Sequence, residues 1–264
     1  MTRVAVIGGS GLTRLERFRV KRRVIVRTPY GEPSGPLVHG SFGGYDVIFL
    51  ARHGQEHTIP PHLVNYRANL WSLKDAGVRT VVAVAAVGAI RSDLQVGSLV
   101  FPDQIIDYTY SREHTFVDGS SDVVMHIDFT DPYCGSLRGV FIDAAGGLGL
   151  PVPSCCTYAA TQGPRLESAA EIDRIESDGG DIVGMTGMPE TGLAKELNLC
   201  YATIGVVANA AAGRGEGPIT ADTIQNTLEH AMENVHALLK EILRLLPKLE
   251  CSNADPAPSA ARLS

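Results

Sequence analysis

Asp181 to Gly213, DIVGMTGMPETGLAKELNLCYATIGVVANAAAG, reads as a strand, a helix and a second strand, with polar side chains wherever an apolar strand stops. Ile182-Val183 runs out into Gly184-Met185-Thr186-Gly187, and Tyr201 to Ala208 runs out into Asn209-Ala210-Ala211. A helix bracketed by two β-rich runs marks an α/β chain, and in open α/β sheets ligands sit at the carboxyl ends of strands. These two junctions are the first places to look for a site.

The same alternation extends outward on both sides. Val4 to Ile7 is a β-branched run followed at once by Gly8-Gly9-Ser10-Gly11, a buried first strand ending in a turn that exposes backbone. Strand-like segments at Val24 to Arg27, Leu37 to Gly40 and Val47 to Ala51, punctuated by glycine and proline, predict antiparallel hairpins. Leu63, Tyr66, Leu70 and Leu73 fall on one face of a helix ending at Gly77, and Thr80 to Val87 is a second buried strand. Val100-Phe101, Ile105-Ile106 and Cys155 to Ala160 are further short strands. Leu137 to Leu148, Ala169 to Ser177 and Ala221 to Leu246 read as helices, the last one long. Between them Ser111 to Asp131 is a polar loop holding His114 and His126, and loops of that length are often functional. Beyond Pro247 the sequence KLECSNADPAPSAARLS lacks periodicity, so residues 1–246 are expected to form one domain and 247–264 a disordered tail.

Composition narrows the function classes. A chain of 264 residues with 44% hydrophobic and 20% charged residues is an ordinary globular protein, long enough for one large core. Its formal charge of -6 argues against nucleic acid as a partner. The dense basic stretch, Arg14 to Arg27, is interrupted by apolar residues at strand spacing and reads as a solvated hairpin face. Five cysteines without a C-x-x-C pair fit reduced thiols, and MTRVAVIGGSG has too short an apolar run for a signal peptide. No stretch approaches the roughly 18 apolar residues of a membrane span. A cytoplasmic protein without membrane contact is expected.

The polar strand ends group around an anion. The glycine turn lacks both the G-x-G-x-x-G spacing of a dinucleotide site and the lysine of a P-loop, and on its own it is a tight turn. Arg52-His53-Gly54, however, directly follows the apolar strand ending at Ala51, and arginine there suits bidentate recognition of phosphate. Thr186 adds a hydroxyl at another strand end, against the alternative that it simply caps the helix that follows. With Ser10 and Arg52-His53 it points to a phosphate pocket assembled from three strand ends. His53, His57 and His62 match no common metal-ligand spacing, and no metal is expected. Glu167, between a strand and a helix, is either a first-turn carboxylate favoured by the helix dipole or an acceptor pointing into the pocket.

GGSGL, LARHG, VNYRANLWSLKDAG, QGPRLES, GMTGMPE and the strand ending at Asn209 occur in an order and at separations that resemble the trimeric purine nucleoside phosphorylase and methylthioadenosine phosphorylase family. The likeness covers roughly residues 4–246 and is nearest to the bacterial branch that cleaves S-methyl-5'-thioinosine. It implies an α/β fold with a single domain, a twisted mixed sheet flanked by helices, and a homotrimer that could pair into a dimer of trimers. It also implies phosphorolysis of an N-glycosidic bond with inorganic phosphate as co-substrate and no cofactor. By motif position Ser10, Arg52, His53, Thr186 and the backbone N–H of Ala86 would hold phosphate. Met185, Leu166, Glu167, Asn209, Ala211, Ala221 and Ile224 would line the nucleoside, and His126 would reach a neighbouring subunit's site. Asn209, Glu167 and His53 would carry the catalysis.

Departures from the adenine-cleaving relatives set the expected substrate. Those relatives place aspartates where this chain has Asn209 and Ala211. Asn209 can donate to O6 and accept from N7–H, and Glu167 can accept from N1–H of hypoxanthine. Mismatched buried polar groups of this kind discriminate by about 10⁴-fold or more. Ala221 stands where nucleoside-cleaving relatives use a histidine for the 5'-hydroxyl, so Ala221 and Ile224 suit a methylthio group. Ala85 replaces a phosphate-binding threonine. The expectation is cleavage of S-methyl-5'-thioinosine to hypoxanthine and 5-methylthioribose 1-phosphate. Inosine/guanosine phosphorolysis, adenine-cleaving phosphorolysis, hydrolysis on the same fold and a silent purine-binding module are the alternatives.

Overall fold

Val78–Ala89, VRTVVAVAAVGA, forms the longest strand of the sheet, and three others pair with it. A computed structural model describes residues 3–9, 18–117, 119 and 125–248. In chain order the described strands are β1 (Arg3–Gly8), β2 (Arg19–Val24), β3 (Leu37–Phe42), β4 (Tyr45–Ala51), β5 (Val78–Ala89), β6 (Leu99–Val100), β7 (Gln104–Asp107), β8 (Thr157–Ala160), β9 (Ile182–Gly184) and β10 (Cys200–Ala210). The helices are α1 (Tyr66–Asp75), α2 (Gly135–Gly147), α3 (Ala169–Ser177), α4 (Gly187–Glu196) and α5 (Ala221–Leu245).

The strands join into one mixed sheet in the order β2-β3-β4-β1-β5-β9-β8-β7, with β10 along the other side of β5 and β6 on β10. β1, β4, β5 and β10 run parallel, as do β7, β8 and β9, while β2-β3-β4 is an antiparallel meander. One edge of β5 changes partner along its length. β1 accompanies it as far as Ala83, and β9 takes over, antiparallel, only at Gly88. Among the described residues, the interval from Val84 to Val87 therefore has no strand on that side.

Because successive strand side chains point to opposite faces, the sheet buries two layers. Val4, Val6, Val82, Val84, Ile204 and Val206 pack with α2 and α5 on one face. Ala5, Ile7, Leu50, Val81 and Ala83 pack with Leu70 and Leu73 of α1 and Leu193 of α4 on the other. Helix starts follow local chemistry. Ser168 and Glu171 form a capping box at α3, Thr220 and Thr223 another at α5, and the Asn65 side chain accepts from Ala68 N–H at α1. α1 stops at Gly77, whose φ of 77° suits glycine.

The single-domain α/β reading and the order of elements agree with the sequence analysis, with local shifts. The second strand is Arg19–Val24 rather than Val24 to Arg27, because the alternating basic residues themselves pair with β3, their side chains in solvent and Lys21 on Asp46. Leu63 belongs to a short 3-10 turn, Pro61–Leu63, and is exposed; Asn65 caps the helix after it. The stretch 111–131 carries no helix or strand among its described residues, and no helix in the described residues is long and apolar enough to cross a membrane. Ser10 and residues 249–264 of the expected tail lie outside the described residues.

Leu238 is fully buried on α5, against the β1-β5-β10 face. Leu238→Ala is expected to lower the unfolding free energy by about 2–5 kcal/mol, measured by denaturant titration, because a buried leucine leaves a cavity that a packed layer only partly closes.

Candidate active site

Where β1 stops, β4 delivers Arg52 into the gap beside β5. Arg52 Nη1 donates to Val84 O at 2.9 Å, the carbonyl at the start of the unpaired interval. The approach needs Gly9, since a Cβ there would sit 2.9 Å from Arg52 Nη1 and 3.0 Å from Val84 O. Arg52 Nε and Nη2 donate to the two carboxylate oxygens of Glu190 on α4 at 2.7 and 2.8 Å. Both side chains are buried, at 1% and 0% exposure. Burial alone would lower the arginine pKa, but the adjoining carboxylate outweighs it and holds the guanidinium charged. Tyr201 Oη donates to the same carboxylate at 2.7 Å. Among the described residues three of the five guanidinium N–H groups are thus committed, and two remain.

His53 comes next in the chain. Its Nδ1 lies 2.8 Å from Ile59 O, and a carbonyl only accepts, so Nδ1 carries the proton and Nε2 is left as an acceptor. Burial and then the Arg52 charge push its pKa down from 6.5 to about 4. Its ring centroid lies 4.7 Å from that of His57, whose pKa is lowered by the same two causes.

The other strand ends close the site. β9 leads into half-buried Met185 and buried Thr186, and Thr186 makes no side-chain capping bond to α4, so the simple capping role fails there. β8 leads into a loop in which Thr161 Oγ1 donates to Glu167 Oε1 at 2.6 Å. Glu167 precedes the cap of α3, and the first-turn carboxylate is Glu171, paired with Arg165 at 2.7 Å. On β10 the pairing with β5 slips by one residue between Val207 and Asn209, and this bulge re-aims Asn209. Asn209 Nδ2 donates once, to Ala210 O at 2.7 Å, leaving its second N–H and Oδ1 without partners among the described residues.

These strand ends enclose a cavity of about 420 Å³, within the range of small-molecule sites. Of the residues singled out from sequence, Arg52, His53, Ala86, Met185, Thr186, Leu166, Glu167, Asn209, Ala211 and Ile224 line it. His126 is exposed and does not line the cavity of its own chain. Ala221 does not line it either. The Thr220 cap turns the chain into α5 with Ala221 exposed, and Ile219 and Ile224 form the wall instead. Sequence reasoning missed Ile219 and Pro61, and it passed over Glu190, which reads locally as an ordinary first-turn acid of α4. Among the described residues no group of three or more His, Cys, Asp or Glu side chains could hold a metal ion.

The family described as the phosphorylase superfamily matches residues 3–244. The chain belongs to it. Among the relatives of this phosphorylase is a probable S-methyl-5'-thioinosine phosphorylase of Pseudomonas syringae pv. tomato, 47% identical over 92% of this chain and 99% of its own. A 6-oxopurine nucleoside phosphorylase of Pyrococcus furiosus is 44% identical, with 94% of each chain covered. Among solved structures, methylthioadenosine phosphorylase from Schistosoma mansoni in complex with adenine superposes with a TM-score of 0.90 at 32% identity, covering 95% of this chain and 93% of that one.

Glu190→Gln is expected to cost about 3–5 kcal/mol in a denaturant titration, because it leaves a buried guanidinium uncompensated. The His53 shift sets a pH dependence. Unfolded histidine takes a proton at about 6.5 and the folded one only at about 4, so stability from this group is full above the first value and lost as pH falls to the second. The loss is up to about 3 kcal/mol, and His53→Asn is expected to flatten the stability curve in that window.

Proposed function

We propose that this phosphorylase cleaves S-methyl-5'-thioinosine with phosphate, giving hypoxanthine and 5-methylthioribose 1-phosphate. The observation that carries the reading is the base end of the cavity, where Glu167 and Asn209 face one space with apolar Ala211 beside them. With Thr161 on one oxygen, Glu167 keeps the other to accept from N1–H of a 6-oxopurine. Asn209 keeps one N–H for O6 and Oδ1 for N7–H. Adenine presents an acceptor at N1 and a donor at its 6-amino group, so it mismatches both.

At the other end the two uncommitted N–H groups of Arg52, the Ala86 backbone N–H and Thr186 would donate to phosphate, and His53, whose Nε2 is an acceptor, would take the O–H of the hydrogenphosphate ion, with Ser10 assigned to the same anion by its motif. A phosphate oxygen bonds to C1 of the sugar as the C1–N9 bond breaks. The electron pair goes to the purine, which takes up a proton. Holding the nucleophile in line and the departing charge on fixed donors lowers the barrier through positioning and electrostatics. Met185 would lie against the sugar. Ile219, Ile224 and Pro61 add apolar lining to the cavity, which suits a methylthio group better than a hydroxyl.

The reading includes a cytoplasmic homotrimer in which His126 reaches a neighbour's site, and turnover without metal or organic cofactor. Light scattering would report three chains, or six if trimers pair, and activity would survive a chelator.

A second reading, phosphorolysis of inosine or guanosine, is favoured by the Pyrococcus furiosus relative and shares the base contacts. Assays of methylthioinosine, inosine, guanosine and methylthioadenosine separate the readings. Methylthioinosine should be fastest, only in the presence of phosphate, and faster cleavage of methylthioadenosine would overturn the base argument. Asn209→Asp and Glu167→Gln should each lower kcat/KM for methylthioinosine by roughly 10- to 100-fold, the worth of a hydrogen bond to a buried polar or charged group. The first should also raise relative use of methylthioadenosine.

A further inference from the structure

Arg112 stands in the long polar loop, in neither helix nor strand, and is only 8% exposed. All five of its N–H groups have acceptors. Nε donates to Gln162 Oε1 at 3.1 Å, Nη1 to Met185 O at 2.8 Å and Met188 O at 2.6 Å, and Nη2 to Gln162 O at 2.7 Å and Thr161 O at 3.2 Å. Among the described residues no carboxylate pairs with it; its charge meets carbonyl dipoles and the Tyr66 ring, 5.6 Å away. A buried cation without a counterion costs stability, and a group with every donor filled has none to offer a ligand.

The four carbonyls belong to two segments that serve opposite ends of the cavity. Thr161 and Gln162 open the loop that carries Leu166 and Glu167, whereas Met185 and Met188 bracket Thr186. β8 and β9 are held together by their ladder as far as Ala160 and Gly184, and Thr161 N–H on Gly184 O at 2.8 Å is the next bond. Beyond it the segments remain in contact, since a Cβ on Gly163 would run into Met185 Sδ. Arg112 spans them where the ladder stops.

We infer that Arg112 is a positioning residue that sets the separation between the base end and the sugar-phosphate end of the site. The inference rests on the assignment of those ends made above. Lysine cannot substitute, because its three donors radiate from one atom and cannot reach carbonyls on two segments in a planar fork.

The test compares Arg112→Met and Arg112→Lys with the wild type, using whichever of the four nucleosides the wild type cleaves fastest, so that an error in substrate identity is seen separately in the wild type. The expected result is a kcat lower by about 100-fold in both variants, the effect of a displacement near 1 Å between reacting groups. Hypoxanthine affinity by calorimetry should stay within about threefold, roughly half the free energy of a tenfold change. If Arg112→Met does not fold, Arg112→Lys, which keeps the charge, decides alone. A folded variant with wild-type kcat overturns the inference. So does a variant whose hypoxanthine affinity and thermal midpoint fall in step with kcat, because that pattern belongs to a strut of the fold alone.

Discussion

The Arg52–Glu190 pair holds the cavity open at the place where the sheet is incomplete. Taking both charges out of water is costly, and a buried ion pair recovers that cost only with close geometry and satisfied remaining groups. Here the geometry is bidentate, Tyr201 supplies a further donor to the carboxylate, and Val84 O takes a third guanidinium N–H. Through these bonds the end of β4, the interior of β5, the start of α4 and β10 are tied to one point. Removing either partner would loosen all four at once. The pair is also neutral as a unit, so an anion beside it would meet two oriented N–H groups more than a free positive charge. Recognition of that kind depends on distance and direction, and those are what the surrounding bonds set.

The same incompleteness explains why the site lies where it does. A parallel sheet with every strand in register would offer ladder hydrogen bonds and no room. β1 leaves β5 after Ala83 and β9 arrives at Gly88, so a short length of central strand faces a space instead of a neighbour. On its opposite edge the extra residue in β10 turns Asn209 out of the regular alternation. Two irregularities on one strand, one an absent partner and one a bulge, thus create both the room and the polar end that faces it.

These facts bear on how much was legible in the chain. Elements with a clear period were read well. The β-branched runs of β1, β5 and β10, the capped α3 and the amphipathic α5 depend on neighbours a few residues away, which a sequence displays directly. The strand-end polar residues were also found, because a polar group that ends an apolar run is visible without knowing its partners. Partners themselves were not. Glu190 lies 138 residues from Arg52, and nothing local distinguishes it from a helix-start acid. Arg112 sits in an aperiodic loop, and its bonds reach 49 to 76 residues along the chain to the 161–162 and 185–188 segments. Motif position alone points to Ala221, whereas the cavity is lined by Ile219 and Ile224, on either side of a helix cap.

Glu167 and Asn209 make a pair whose chemistry follows from what the cavity can tolerate. One carboxylate in a partly buried pocket is already held by Thr161 on a single oxygen. A second carboxylate at the position of Asn209 would raise the cost of keeping both ionised, and one of them would tend to take up a proton. An amide there avoids the conflict and presents a donor and an acceptor from one side chain. Ala211, almost fully buried beside it, adds shape without charge. Under the proposed reading, the base is therefore chosen by the charge the pocket can hold as much as by the contacts it makes: a single carboxylate and a neutral amide read a ring that donates at N1 and accepts at O6.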